Sequence, residues 1–422
     1  MQPLAESLRA AARAVAEVAA GRSLSATLER ASQDTGRATR AALIDLCYGT
    51  LRSYGRVQAS ARALSGRKPP DARLEALLWC ALYALESGRY AEYTVVDQAV
   101  RACRLLGFAR AAGYVNAVLR ARLRARGRIE ARLASDPVAR HQHPAWWIAR
   151  LRAACPERWE SILAAGNDRP PMCLRVNARR SSPEAYLGRL RDQGIAARLL
   201  AGGAVLVEHP LPVERLPGFA EGEVSVQDAG AQRAVPLLDL RAGHRVLDAC
   251  AAPGGKSAQI LETADVALTA LDADASRCAA LASTLRRLGL AAEVRAADCC
   301  APQNWWDGRA FDRILADVPC SGSGIVRRRP DIKWLRREAD LGAYAERQAR
   351  ILDALWRLLT PGGKLVYATC SVFAEENGAV VEAFVARTPS ARHLDLPGGS
   401  AAQLLPDAEH DGFYFALLAK TA

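Results

Sequence analysis

The chain has 422 residues, half of them hydrophobic, with 57 Lys+Arg against 45 Asp+Glu and a formal net charge of +12. That length suits two or three domains rather than one core, and no apolar run reaches the ~18 residues of a membrane span, so no membrane partner is expected. The charge excess is lopsided: residues 1–150 carry 24 Arg+Lys against 12 Asp+Glu, whereas residues 151–422 carry 33 of each. Only five of the basic residues are lysines. Arginine grips phosphate in a bidentate fork and stacks on bases, so a localised arginine-rich region predicts a nucleic-acid binder. The plainer alternative is a solvated helix face.

Residues 1 to about 140 read as helical throughout. Apolar residues recur at i, i+3, i+4 in Leu4–Ala20, Ala41–Tyr54, Leu74–Leu85, Val95–Leu106 and Ala111–Leu123. The opening segment sets Glu6, Arg9, Arg13 and Glu17 at helical spacing, an amphipathic helix rather than a signal peptide, which leaves the cytoplasm as the expected location. Gly and Pro in Gly66–Asp71 mark a connection, and five or more such helices make an all-α bundle. Much of the basic excess falls in Arg120–Leu133 (RARLRARGRIEARL). Residues 141–150 (HQHPAWWIAR) read as a junction. His141 and His143 have no thiolate partner at ligand spacing, so no metal site is expected.

Between about 150 and 228 the pattern becomes a small α+β module. Strands are predicted at Leu174–Asn177, Ala204–Glu208 and Glu223–Gln227, with a capped amphipathic helix at Ser182–Gln193. From about 229 to the end strand and helix alternate. Strands are predicted at Arg245–Ala249, Ala267–Asp272, Ala292–Asp298, Arg313–Asp317, Lys364–Thr369 and Gly412–Lys420. Helices are predicted at Lys256–Thr263, Ala275–Leu288, Leu341–Leu359 and Glu375–Arg387. Alternation of this kind with buried strands predicts a parallel, doubly wound α/β sheet. The expected domains are therefore 1–140, 150–228 and 229–422.

Three motifs in the last segment carry chemistry. The first is Asp248-Ala-Cys250-Ala251-Ala252-Pro253-Gly254-Gly255-Lys256: a strand end, a tight glycine turn and a helix start. Gly254 and Gly255 let a ligand approach the backbone, and the helix start offers free N–H groups. Asp272 ends the next strand 17 positions after Gly255, where a carboxylate can accept from ribose hydroxyls; Asp298 ends the strand after that. The glycine spacing fits neither the dinucleotide fingerprint nor a Walker A loop, so an adenosyl cofactor without pyrophosphate fits better. A nicotinamide-dependent dehydrogenase is correspondingly disfavoured. The second motif is Asp317-Val-Pro-Cys320-Ser-Gly-Ser-Gly324, followed by Arg327-Arg-Arg-Pro-Asp-Ile-Lys-Trp334, whose interleaved arginines and tryptophan suit a nucleic-acid groove. The third is Thr369-Cys370-Ser371.

Eleven cysteines, an odd count at irregular spacing with Cys299-Cys300 the only close pair, imply reduced thiols rather than a disulfide framework. Most read as small core hydrophobes. Cys320 and Cys370 differ. Each closes a predicted strand, and in an open α/β sheet neighbouring strand ends converge on one crevice. Two thiols beside a cofactor turn point to covalent chemistry, and from spacing alone either could be the attacker.

DACAAPGGKS, DVPCSGSG, RRRPDIKWLRR and LVYATCSVFAEEN together resemble the motif set of RNA cytosine-5 methyltransferases of the Sun/Nol1/Nop2 group. The order of segments resembles the bacterial members of that group that act on 16S ribosomal RNA. The one visible departure is Val318, where alanine is more usual. The resemblance implies a NusB-like RNA-binding bundle, an RRM-like module and a C-terminal Rossmann-like class I methyltransferase domain. It also implies S-adenosyl-L-methionine as cofactor, held by Cys250–Lys256, Asp272, Asp298 and Asp317.

The implied reaction follows from the base. Carbon 5 of cytosine is too weak a nucleophile unless a thiolate first adds to carbon 6. The family assigns that attack to the Thr-Cys cysteine, here Cys370, and product release to the Pro-Cys cysteine, here Cys320; DNA cytosine-5 methyltransferases use the Pro-Cys residue for attack instead. Asp317 is expected to bond the base edge near N3, and Lys256 to stabilise the adduct or touch the base. The target base must be unpaired or extruded. The expected substrate is 16S ribosomal RNA free of ribosomal proteins, acted on by a monomer. The alternatives are the same chemistry on another RNA, such as tRNA, and a non-catalytic ribosome assembly factor.

Overall fold

The computed structural model describes residues 4–33, 36–66, 69–399 and 401–421. Met1–Pro3 of the opening segment and Arg67–Lys68 of the predicted connection lie outside the described residues. The chain folds as two compact units: Met1–Asp168 with Val326–Glu338, and Arg169–Ile325 with Ala339–Ala422.

In the first unit the five predicted helices are present, as Leu4–Ala19, Arg37–Arg52, Ala72–Glu86, Glu92–Leu105 and Ala112–Arg124. The first buries Leu8, Ala11, Ala12, Val15 and Val18, the stripe its period requires. Ala72–Glu86 is apolar nearly all round (Leu74, Leu77, Leu78, Trp79, Leu82) and is accordingly the buried central helix; Asp71 caps it by accepting from the Arg73 N–H. Gly49 lets Tyr83 lie against the backbone of Arg37–Arg52, since a Cβ there would fall 1.8 Å from the Tyr83 ring. Further helices occupy Leu24–Gln33, Tyr54–Leu64, Arg126–Ser135, Pro137–His141, Ala145–Ala154 and Trp159–Asn167. The stretch read as a junction is thus largely helical, and Ala145–Ala154 buries Trp147, Ile148 and Leu151.

Two basic segments behave differently from their sequence reading. In Arg120–Leu133, Arg122 turns inward and pairs with Glu86 and Glu130, which Arg56 also engages; Arg124, Arg126 and Arg128 remain exposed. Arg327–Trp334 is not an open groove. Arg327 and Lys333 are 2% and 0% exposed. Lys333 Nζ donates to Arg52 O at 3.1 Å and Asn167 Oδ1 at 2.8 Å, and Trp334 Nε1 donates to Leu51 O at 2.9 Å. Asp331 Oδ2 accepts from the Leu24 N–H at 2.9 Å. The segment is a polar wedge that terminates helix ends, and its buried charges, Arg327, Asp331 and Lys333, serve the fold, while Arg329 is exposed.

The second unit holds two sheets. Strands β1 (Met172–Val176), β2 (Ala197–Leu199), β3 (Val205–Val207) and β4 (Val224–Val226) form an antiparallel sheet in the order β2-β3-β1-β4. The helix Pro183–Asp192, capped by Ser182 as its sequence predicts, packs on it through Tyr186 and Leu190. The second sheet comprises β5 (Arg245–Asp248), β6 (Ala267–Asp272), β7 (Glu293–Ala296), β8 (Phe311–Asp317), β9 (Leu359–Thr369), β10 (Ala391–Leu394), β11 (Gln403–Leu404) and β12 (Phe413–Lys420). Its order is β10-β12-β9-β8-β5-β6-β7, with β11 beside β12.

Strands β5 to β9 are parallel, but β10, β11 and β12 pair antiparallel. The sheet is mixed, which corrects the all-parallel expectation: apolar content marks β12 as buried but carries no information on its direction. Alternate residues face opposite layers. Leu247, Ile314, Leu365 and Tyr367 pack with Ile351, Leu355 and Phe384; Val246, Leu315, Val366 and Phe415 pack with Ile260, Leu281 and Leu285. Strand order reverses at β5, between β6 and β8, so a ligand crevice opens at the carboxyl ends of β5 and β8.

Candidate active site

The crevice is built from the loops that leave β5, β6, β7, β8 and β9. β8 and β9 are parallel neighbours with Asp317 opposite Ala368. The residues just beyond, Cys320 and Cys370, therefore meet although they are fifty positions apart: their Sγ atoms are 3.3 Å apart. Both are partly exposed. The Cys320 thiol is pushed well above its ordinary range, first by its bond to Cys370 and then by burial. Gly324 allows the Pro-Cys loop to lie on the backbone of Gly412, where a Cβ would come within 2.2 Å of the Gly412 oxygen.

Lys256 Nζ and Asp317 Oδ2 form an ion pair at 2.5 Å. Burial would lower the Lys256 pKa, but Asp317, Asp248 and Cys370 together outweigh it, so the ammonium is held above its ordinary range. Asp248, at the end of β5, is 0% exposed. Ser257 Oγ donates to its Oδ2 at 2.6 Å. Burial raises its pKa to about 7.

The glycine turn is braced from beneath. Gly254 has φ +101° and opens the helix Gly255–Thr263. The Ala251 N–H donates to Leu271 O at 2.7 Å, and Arg277 Nη2 donates to Ala252 O at 2.8 Å. Asp272 is only 5% exposed; it accepts from the Ala252 and Asp274 N–H groups and pairs with Arg277. Asp298 is exposed, accepts from the Cys300 N–H at 2.9 Å, and lies beside the thiols of Cys299 and Cys300. The loop Cys250-Ala251-Ala252-Pro253-Gly254-Gly255-Lys256, Asp272 and Asp298 thus follow one another along the ends of β5, β6 and β7. Cys320, Cys370, Asp317 and Lys256 gather at β5, β8 and β9.

The sequence reading missed the polar floor under the thiols. Ser321, Ser323, Ser371 and Glu376 are buried there, and Asn377 Oδ1 accepts from Thr369 Oγ1 at 2.6 Å. Serines flanking both cysteines were the available signal. It also missed Arg175 of β1, whose guanidinium pairs with Glu262 and donates to Gly255 O at 2.6 Å, holding the start of the glycine-turn helix.

A family model described as 16S rRNA methyltransferase RsmB/F matches residues 235–419. A ferredoxin-like domain described as Methyltr_RsmF/B-like matches 143–214, and the NusB family matches 6–124. The chain is 43% identical over 407 residues to the ribosomal RNA small subunit methyltransferase B of Vibrio cholerae, covering 95% of this chain and 94% of that one. It is 44% identical over 433 residues to the protein of the same name from Pseudomonas syringae pv. tomato, covering 98% and 96%. Among solved structures, a methyltransferase homolog from Pyrococcus horikoshii is similar at 27% identity with a TM-score of 0.59, covering 67% of this chain and 97% of that one.

Proposed function

The chain belongs to the 16S rRNA methyltransferase RsmB/F family, whose members are S-adenosylmethionine-dependent, and from that premise we propose that it methylates carbon 5 of a cytosine in 16S ribosomal RNA, with Cys370 bonding transiently to carbon 6. The observation that carries the proposal is the pair of thiols 3.3 Å apart beside the Lys256–Asp317 ion pair. A methyltransferase acting on an oxygen or an exocyclic nitrogen needs neither thiol.

The residues present fit the cofactor. Gly254 in the left-handed region opens backbone to a ligand, and the carboxylates at the ends of β6 and β7 suit hydroxyl and amino groups; nothing there is built for a pyrophosphate. Cys250–Lys256, Asp272, Asp298 and Asp317 would hold it. S-adenosyl-L-methionine, when bound, supplies an electrophilic methyl group on a sulfonium.

The remaining chemistry falls to the protein. Cys370, as thiolate, adds to C6 and turns C5 into a carbon nucleophile. Asp317 hydrogen-bonds the base edge near N3, where the exocyclic amino group can donate to it, and Lys256 counters the negative charge of thiolate and adduct. C5 would take the methyl carbon as that carbon's bond to the sulfonium breaks and leaves a neutral thioether, and the C5 proton would then pass to water. The C6–S bond breaks as the C5–C6 double bond returns, and Cys320 assists that departure. The NusB-like unit with its exposed arginines supports a ribosomal RNA substrate; RNA presented without ribosomal proteins, to a monomer acting in the cytoplasm, belongs to the same proposed reading.

Tritiated methyl transfer to naked 16S RNA tests the reading. Cys370→Ala is expected to abolish incorporation, and Cys320→Ala to accumulate a protein–RNA adduct that survives a denaturing gel. An adduct that requires Cys320 and not Cys370 would reverse the two roles.

A further inference from the structure

Glu376 was legible only as an acidic residue near a helix start, yet it is 0% exposed. Its carboxylate is surrounded by donors from three elements. Oε1 accepts from the Ser321 N–H at 2.6 Å and from Gln348 Nε2 at 3.4 Å. Oε2 accepts from Ser321 Oγ at 2.5 Å and from Ser371 Oγ at 2.6 Å. Ser321 follows Cys320 and Ser371 follows Cys370, so one carboxylate ties down the residue next to each thiol. Gln348 also donates to Pro319 O at 3.0 Å, and Ser323 Oγ bonds Ser371 Oγ at 2.9 Å. We propose that Glu376 is a positioning residue for methyl transfer, clamping the two cysteine-bearing loops at a single spacing; this rests on the cytosine-5 reading given above.

A buried carboxylate is a poor way merely to stabilise a fold, because its desolvation offsets much of what its bonds return. Its charge acts as well. The groups that face the thiols are Lys256 from the glycine-turn helix, Asp317 at the end of β8, and Tyr367 of β9, whose hydroxyl donates to Glu376 O at 2.6 Å; Tyr414 of β12 lies beyond Tyr367. Cys370 adds, last and after Asp317 and Asp248, to what holds Lys256 charged. Glu376 opposes ionisation of Cys320, adding to the effects of the Cys370 bond and of burial. The clamp thus adds its charge to the hydrogen bond and burial that already favour the Cys320 thiol over the thiolate.

The test uses the full chain. Glu376→Gln keeps the volume but removes the charge and places an amide N–H₂ among donors. It is expected to lower kcat about a hundredfold, the effect of an ~1 Å misplacement of reacting groups, while KM for RNA changes less than about threefold. Glu376→Asp keeps the charge but shortens the reach. Iodoacetamide labelling followed by mass spectrometry separates the two effects. Cys320 should label faster in Glu376→Gln, where the opposing charge is gone, and at the wild-type rate in Glu376→Asp. A kcat within about threefold of wild type per folded molecule, or Cys320 labelling unchanged in Glu376→Gln, overturns the proposal. Should Glu376→Gln not fold, Ser321→Ala and Ser371→Ala decide: each should lower kcat, and the double variant by less than the product of the two, whereas two silent variants overturn the clamp. If the wild-type protein methylates no cytosine, the catalytic reading fails, and the labelling experiment still judges the clamp.

Discussion

Arg175→Met is the sharpest single test of how the small module supports the site. Arg175 Nε and Nη2 each lie 2.9 Å from a Glu262 oxygen, and the two side chains are 6% and 3% exposed. Nη1 donates to Gly255 O at 2.6 Å and to Gln227. Removing the guanidinium strands a buried carboxylate, which costs about 3–5 kcal/mol, well above the ~0–1 kcal/mol of a surface pair. At roughly 2–4 °C per kcal/mol for a unit of this size, the unfolding midpoint should fall by about 10 °C. Replacing both partners, Arg175→Met with Glu262→Leu, removes the stranded charge and should recover at least half of the loss. S-adenosylmethionine affinity should stay weakened in the double variant, because the Gly255 carbonyl has still lost its donor. Thermal unfolding followed by circular dichroism, with titration calorimetry for the cofactor, reads both effects. A single variant costing less than about 1 kcal/mol would refute the reasoning, since the pair would then behave as a solvated one; so would a double variant no better than the single.

Two further outcomes follow from buried charges. Burial raises Asp248 to about 7 from an ordinary 3.8; between those values the folded protein holds a proton that the unfolded chain has released. Stability should therefore be full at low pH and fall as pH rises through that window, by about 4 kcal/mol in all. Asp248→Asn should flatten the curve, as denaturant unfolding at pH 5 and pH 8 would show, and a variant whose stability keeps the wild-type slope would rule this out. Lys333→Ala should destabilise the N-terminal unit by about 2–4 kcal/mol, through lost bonds and stranded acceptors, without altering RNA affinity per folded molecule. A loss of RNA binding at unchanged stability would instead restore the groove reading of Arg327–Trp334.

The elements were legible where one physical requirement set the pattern. Ala275–Leu288 and Ala267–Asp272 match their sequence reading to the residue, the first from its 3.6-residue apolar period between an Asp274 cap and a left-handed Gly289, the second from a strand buried on both faces. The misses have equally physical causes. Ala197–Leu199 and Ala391–Leu394 are short and largely exposed, so apolar content does not mark them. Arg327–Trp334 carries Arg327, Asp331 and Lys333 inward, and composition cannot report direction. The bonds that satisfy Lys333 come from Arg52 and Asn167, more than 160 positions away.

The site shows the same division at finer grain. That Cys320 and Cys370 end strands is a local property; that those strands are parallel neighbours is a property of sheet order, which the sequence leaves open. Once β8 lies beside β9 with Asp317 opposite Ala368, the meeting of the thiols is forced, and so is the meeting of the serines that follow them. Two hydroxyls brought together in a dry floor need a common acceptor, and a carboxylate can take several donors at once. Glu376 supplies it five residues after Ser371, which a 3-10 turn at Ala374–Glu376 brings back under the strand ends. A residue that reads as a solvated helix-start charge is thereby required inside. The requirement comes from strand order, so the same Ser-x-x-x-x-Glu spacing in a sheet that separated β8 from β9 would leave the glutamate at the surface.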